Sequence, residues 1–292
     1  MPSLKEVRTR ISSVISTRQI TSAMKMVSAS KLRRAQMAIL KLRPYAVKLN
    51  EILVNLRSSI ENTDEAIYFN ERKLNKVLLV VVTSNRGLCG AFNTNAIKLA
   101  LNIIHNEYAS QHAAGNVSLI CIGKKASDFF TRRKYHVVAQ YIEIFDKLTY
   151  ENSVSISQKL MQEFIAGTYD RIDIIYNQFK NAAMQKLIRE QFLPVAEFKG
   201  KETKDSADYI FEPGKTEIVK ELVPRSLKVQ FYKTLLDSFA SEHGARMTAM
   251  HQATDNAEEI LRELRLSYNK ARQASITKEI LEIIAGANAL KG

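Results

Sequence analysis

Gly87-Leu88-Cys89-Gly90 follows an apolar run, Val77–Val82, and precedes a segment of helical composition. A strand, a glycine loop and a helix N-terminus together can cradle a phosphate, because backbone N–H groups converge on the positive end of the helix dipole. The spacing argues against that chemistry here. GLCG is not GxGxxG, the GxxxxGK[ST] pattern occurs nowhere, and Gly123-Lys124-Lys125-Ala126-Ser127 lacks the upstream glycine. The histidines His105, His112, His136, His243 and His251 have no metal-ligand spacing and no cysteine beside them. Glu279 and Glu282 share one helix face, as an acid/base pair would, but on an amphipathic helix they read as a solvated or partner-facing edge. Cys89 and Cys121 give no disulfide framework; they read as small buried hydrophobes in a reducing compartment. The expectation is a chain with no catalytic centre, no cofactor, no metal and no small-molecule substrate.

Charge is the more informative signal. Between Val7 and Asn50 stand Arg8, Arg10, Arg18, Lys25, Lys31, Arg33, Arg34, Lys41, Arg43 and Lys48, with no Asp or Glu, in a chain of net charge +13. From Lys228 to Leu290 the charges balance. The first segment therefore faces something acidic. Nucleic acid is one such partner, and a basic coiled-coil nucleic-acid-binding protein is the alternative reading. Against it, the segment has no aromatic before Tyr45 for base stacking and the chain has no zinc-finger or RNP pattern. An Arg- and Ser-rich start also describes a transit peptide, but the helical pattern runs unbroken past residue 56, longer than a cleavable presequence needs. No apolar run approaches the length of a membrane span.

The elements that would position these residues come in three parts. Apolar residues recur in steps of three and four at Ile11, Val14, Ile20, Met24, Val27, Ala35, Ala38 and Leu42, predicting a helix over roughly residues 3–60, bent at Pro44. A matching stripe at Leu235, Phe239, Met247, Met250, Ala253, Ala257, Leu261, Leu264, Tyr268, Ala271, Ile280 and Ile284 predicts a second long helix after Pro224. Two such helices, each with a narrow stripe, satisfy each other as an antiparallel coiled coil. Between them the period changes. Strands at Val77–Val82, Val117–Gly123 and Arg171–Phe179, with a further one in HVVAQYIEI, alternate with helices at about Asn93–His105 and Thr149–Ala166. That alternation predicts an α/β domain with a mostly parallel sheet, and Gly200–Gly214 reads as a polar loop or edge. The expected division is an N-terminal helix over 1–60, an α/β domain over 75–200 and a C-terminal helix over 212–292.

Three stretches resemble the gamma subunit of bacterial F-type ATP synthases: ITSAMKMVSASKLRRAQ (Ile20–Gln36), TSNRGLCGAFN (Thr83–Asn93) and SEHGARMTAMHQATDNA with YNKARQASITKEILEIIAGANAL toward the C-terminus. Asn85 stands where the family usually has Asp. The resemblance implies an α/β protein (α+β overall), a long antiparallel coiled coil plus a central Rossmann-like domain. It implies a central rotor shaft that couples ion flow through a membrane ring to ATP synthesis or hydrolysis on the beta subunits. The implied partners are a hexameric ring of alpha and beta subunits, the epsilon subunit and the membrane c-ring, one copy of the chain per complex, with no nucleic acid. The implied location is the inner membrane, peripheral, on its cytoplasmic side. Transferred by position, Met24, Lys25, Arg246, Arg272, Gln273, Thr277 and Glu279 are expected to contact beta subunits. Phe211 and Glu212 are expected to contact the membrane ring or epsilon.

Overall fold

The computed structural model of the chain describes residues 3–55, 64–182, 184–195 and 214–289. Among the described residues, two long helices, α1 (Leu4–Asn55) and α6 (Lys215–Ala289), enclose in sequence five strands, four shorter α-helices and two 3-10 turns. The strands are β1 (Val77–Val82), β2 (Val117–Ile122), β3 (Val137–Tyr141), β4 (Arg171–Phe179) and β5 (Gln185–Leu193). The short helices are α2 (Phe92–Asn102), α3 (Ala109–Ala113), α4 (Lys124–Arg132) and α5 (Tyr150–Ile165), with a π-helical turn at Ile103–Glu107. Pro44 and Pro224 lie inside α1 and α6. The chain divides into two compact units, residues 29–246 and residues 1–28 with 247–292.

In the unit of residues 29–246 the strand order is β3-β2-β1-β4-β5, parallel except for the antiparallel pair β4–β5. All six residues of β1 are buried, as expected for the centre of a parallel sheet covered on both faces. Period-two alternation divides its side chains between two cores. Leu78, Val80 and Val82 meet Leu160 and Phe164 of α5, Leu49 and Leu53 of α1, and Val223, Leu227 and Phe231 of α6. Val77, Leu79 and Val81 meet Ile97 and Ala100 of α2, Ile104, and Phe130 of α4. The long helices thus serve this unit as one layer of an α/β sandwich.

Strand β5 is the element that hydrophobic patterning does not announce. Its sequence, QKLIREQFL, carries five charged or amide side chains among four apolar ones. Those polar groups have specific partners. Glu190 accepts hydrogen bonds from Tyr176 Oη (2.6 Å) and Gln230 Nε2 (2.7 Å), and Arg189 pairs with Glu107 beside the fully buried Asp173. Asp173 is itself held by Tyr108 Oη at 2.6 Å and Arg171 Nε at 3.1 Å. A buried carboxylate stays in the fold when its lone pairs are taken.

Gly123 joins β2 to α4 at φ 94°, and a Cβ there would lie 2.1 Å from the carbonyl oxygen of Thr83. Asp237 of α6 is buried; the loss of water outweighs the nearby Lys233 and Arg43 cations, and with Glu190 also near, its pKa rises from the ordinary 3.8 to about 6. An acid whose pKa is higher folded than unfolded helps the fold below pH 3.8, and that help is lost as pH climbs to about 6. Two outcomes are expected. Gly123→Ala costs about 3 kcal/mol or more, read from the denaturant midpoint, because the neighbour is backbone and cannot rotate away. Asp237→Asn stabilises the chain by roughly 2 kcal/mol at pH 8 and by nothing near pH 3.5, read from unfolding midpoints at the two pH values.

Candidate functional site

In the unit that joins residues 1–28 with 247–292, the two helices pair antiparallel. Arg18 Nη1 meets Glu258 Oε1 at 3.4 Å, Thr21 Oγ1 meets Thr254 Oγ1 at 2.9 Å, and Lys25 Nζ meets His251 Nδ1 at 3.3 Å. On α6 the inward positions are Met250, Thr254, Ala257, Leu261, Leu264, Tyr268, Ala271 and Ser275, a four–three alternation close to the stripe expected from the sequence. On α1 the seam is Val7, Ile11, Val14, Arg18, Thr21, Lys25 and Ser28. Ile20 and Val27, expected in the stripe, are instead 60% and 57% exposed. The correction has a physical cause. Thr21 and Ser28 return their hydroxyls to the carbonyls of Arg18 and Met24, which leaves small, satisfied side chains that let the helices approach. Apolar residues are thereby left facing outward: Ile20, Met26 and Val27 on α1, Ile260 and Leu266 on α6.

Continuing the same register brings the start of α1 level with about Arg272, so residues 273–289 of α6 run beyond it. On that stretch Ile276, Ile280, Leu281, Ile283 and Ile284 are 46–71% exposed. Arg272, Gln273, Thr277 and Glu279 are exposed alongside them. Thr277 Oγ1 donates to the carbonyl of Gln273 at 2.9 Å, and Lys278 pairs with Glu282 at 3.6 Å. A helix end with a side of exposed isoleucines and a few polar groups has the composition of a surface that another protein covers. Met24 and Lys25 sit further down the pair, half-buried in the seam. Of the ten basic residues of the acid-free segment, Arg18 and Lys25 make the cross-helix contacts above; Arg8, Arg10, Lys31, Arg33, Arg34, Lys41, Arg43 and Lys48 are exposed.

Arg246 is placed differently. It is 7% exposed and belongs to the unit of residues 29–246. Its Nη1 donates to Glu242 Oε1 at 2.6 Å and to His243 Nδ1 at 3.3 Å, while Nε and Nη2 donate to the carbonyls of Gly87 and Arg86 at 3.1–3.4 Å. Expected as a partner contact, its guanidinium is turned into its own chain. Burial and the neighbouring Arg246 and Lys31 cations push the His243 imidazole down to about 3, so it is neutral and its Nδ1 accepts. In the sequence, Arg246 is marked only as the arginine of the SEHGARM stretch of the family resemblance. Phe211 and Glu212 lie outside the described residues.

The turn at Gly123, between β2 and α4, has its backbone donors committed. At the N-terminus of α4, Lys124 N donates to Asn85 Oδ1 (3.0 Å), Lys125 N to the Ser84 carbonyl (3.1 Å) and Ala126 N to Thr83 Oγ1 (2.9 Å). The helix end where an anion would sit is capped by the TSN turn, and Asn85 also donates to the Ile142 carbonyl at 2.8 Å. Among the described residues, no group of three or more His, Cys, Asp or Glu side chains is placed to hold a metal ion. No described helix is long and apolar enough to cross a membrane.

Residues 3–290 match a family model described as ATP synthase. Among curated proteins the chain is 55% identical over 293 residues to the ATP synthase gamma chain of Cytophaga hutchinsonii, covering 99% of each. It is also 55% identical over 292 residues to the ATP synthase gamma chain of Flavobacterium psychrophilum, covering 100% of each. Among solved structures, a chain of the Euglena gracilis mitochondrial ATP synthase (OSCP/F1/c-ring, rotational state 3) has the same fold at a TM-score of 0.67 and 22% identity, with 98% of this chain and 94% of that one covered.

Proposed function

The chain belongs to the ATP synthase gamma-chain family, and from that membership we infer that it is the central rotor shaft of an F-type ATP synthase. It couples ion flow through a membrane ring to ATP synthesis or hydrolysis at sites on the beta subunits. The single observation that carries this reading is similarity to gamma chains from one end of the sequence to the other. The nucleic-acid alternative has no comparable observation behind it.

We further propose the division of labour within the chain. Residues 1–60 and 212–292 are the shaft, 75–200 the domain that anchors it, and the chain has no catalytic site of its own. The partners are a hexameric ring of alpha and beta subunits, an epsilon subunit and the membrane c-ring, with the complex peripheral to the inner membrane on its cytoplasmic side. The apolar end of α6 turns inside the alpha–beta ring. Arg272, Gln273, Thr277 and Glu279 touch beta subunits beside it, Met24 and Lys25 do so lower down, and Phe211 and Glu212 meet the membrane ring or epsilon. The exposure of α6 from Arg272 onward supports the first group. The eight exposed cations of the acid-free segment of α1 suit acidic loops on a ring of partners.

Mechanically, a ring subunit responds to the shaft only through contacts that differ from one orientation to another. A two-helix rod supplies them, because its sides differ: outward Ile20, Met26 and Val27 belong to one helix, and Ile260 and Leu266 to the other. Turning such a rod presents each beta subunit in succession with a different chemical side, and the three sites pass through binding, reaction and release in order.

The reading is tested by purifying the tagged chain from gently solubilised membranes. Alpha- and beta-sized partners with azide-sensitive ATPase activity are expected; recovery of the chain alone, or with nucleic acid, overturns it. For the site, Arg272→Ala and Gln273→Ala are each expected to lower ATP-driven ion pumping on the order of tenfold, the scale of one lost charge-assisted contact, with assembly and the unfolding midpoint unchanged. Wild-type turnover and pumping in both variants removes these residues from the contact surface.

A further inference from the structure

A guanidinium has five N–H donors. In Arg246 each has an acceptor within this chain: Nε on the Gly87 carbonyl at 3.4 Å, Nη1 on Glu242 at 2.6 Å and His243 at 3.3 Å, Nη2 on the Arg86 carbonyl at 3.1 Å and the Gly87 carbonyl at 3.3 Å. Nothing is left for a partner unless these bonds are given up. We propose that Arg246 is a positioning residue, a latch that clips the Arg86–Gly90 loop onto α6 and so fixes how that loop presents Leu88.

The loop needs such a clip. Leu88 has φ 62°, a region that side-chain-bearing residues enter only when their surroundings hold them there. It does so while 63% exposed, so packing of its own side chain does not hold it. Gly90 follows at φ 59°. From inside the loop, Ser84 Oγ donates to the Arg86 carbonyl at 2.6 Å, and Asn93 Nδ2 reaches Cys89 Sγ at 3.2 Å. From outside it, the Arg246 fork grips two successive carbonyls, Arg86 and Gly87, which only a planar, multi-donor cation can do at once. Glu242, one turn earlier on α6 and 7% exposed, supplies the counter-charge that makes burying the cation tolerable. His243 completes the cluster from the remaining side and is itself buried.

The latch makes loop and helix one body. Any turn or shift of α6 at Arg246 carries Leu88 with it. Partner contact by Arg246 itself and clamping of the loop are then mutually exclusive states of one side chain; that consequence rests on the rotor-shaft reading, whereas the latch does not.

Cys89 is the reporter, being 1% exposed inside the loop, and Cys121, fully buried in β2, is the control within the same molecule. Thiol modification of the full-length chain is followed by peptide mass spectrometry for each cysteine separately. In Arg246→Ala and in Arg246→Lys, Cys89 is expected to react roughly tenfold faster or more while Cys121 stays protected and the helical circular dichroism is unchanged. Lysine keeps the charge but not the fork, so it should not rescue. Cys89 reacting at the wild-type rate in Arg246→Ala overturns the latch. If Arg246→Ala exposes both cysteines by unfolding, Glu242→Gln decides: faster reaction at Cys89 alone supports the latch, and no change refutes it. Because the readout needs no partner, its failure is separable from failure of the rotor assignment.

Discussion

Everything in this chain depends on the fact that neither terminal helix can bury its own stripe. Helices such as α1 and α6 draw most of their stability from packing an apolar face rather than from intrinsic propensity, and a single narrow stripe gives neither of them a core of its own. Each therefore requires the other. In residues 3–28 and 247–271 they pack on each other; in residues 29–246 the same two helices share a sheet as common ground. The α/β domain is in this sense a device for bringing the two ends of one polypeptide side by side. In the same domain the N-terminus of α4 is capped from within by Asn85, Ser84 and Thr83.

Much of this is written in the sequence. Strand β4 occupies the residues that its apolar run predicts, the parallel core follows from β1 and β2, and the α6 stripe is visible as spaced apolar and small residues from Met250 to Ala271. What escapes is consistent in kind. The α1 seam is hidden because its inward positions include buried Thr21 and Ser28 and half-buried Arg18 and Lys25, while the apolar Ile20 and Val27 lie on the outer side of the helix. Strand β5 is hidden because Arg189 and Glu190 look like surface residues until Glu107, Tyr176 and Gln230 are known to face them. Periodicity reads hydrophobicity, and both failures occur where polar groups are satisfied locally enough to enter a core.

The candidate site divides along the same line. Arg272, Gln273, Thr277 and Glu279 stand out in sequence through family resemblance, and the exposed isoleucines beside them through periodicity running on past the end of a partner helix. Arg246 is of another kind. Its residue type suggests an exposed contact, yet its environment is an interior one, with a neutral histidine, a paired glutamate and two backbone carbonyls. No pattern of residue types along a chain reveals that a cation's five donors are already occupied.

The bare end of α6 has a bearing on the life of the protein before it reaches its place. Five large aliphatic side chains lie open to water on one short stretch of helix. Such a surface is sticky toward chaperones, proteases and copies of itself alike. A freshly made chain thus carries a visible mark of being unassembled, and burial by its proper neighbours erases it. On the rotor-shaft proposal, the isoleucines that mark an unassembled chain are the same ones that seat the shaft.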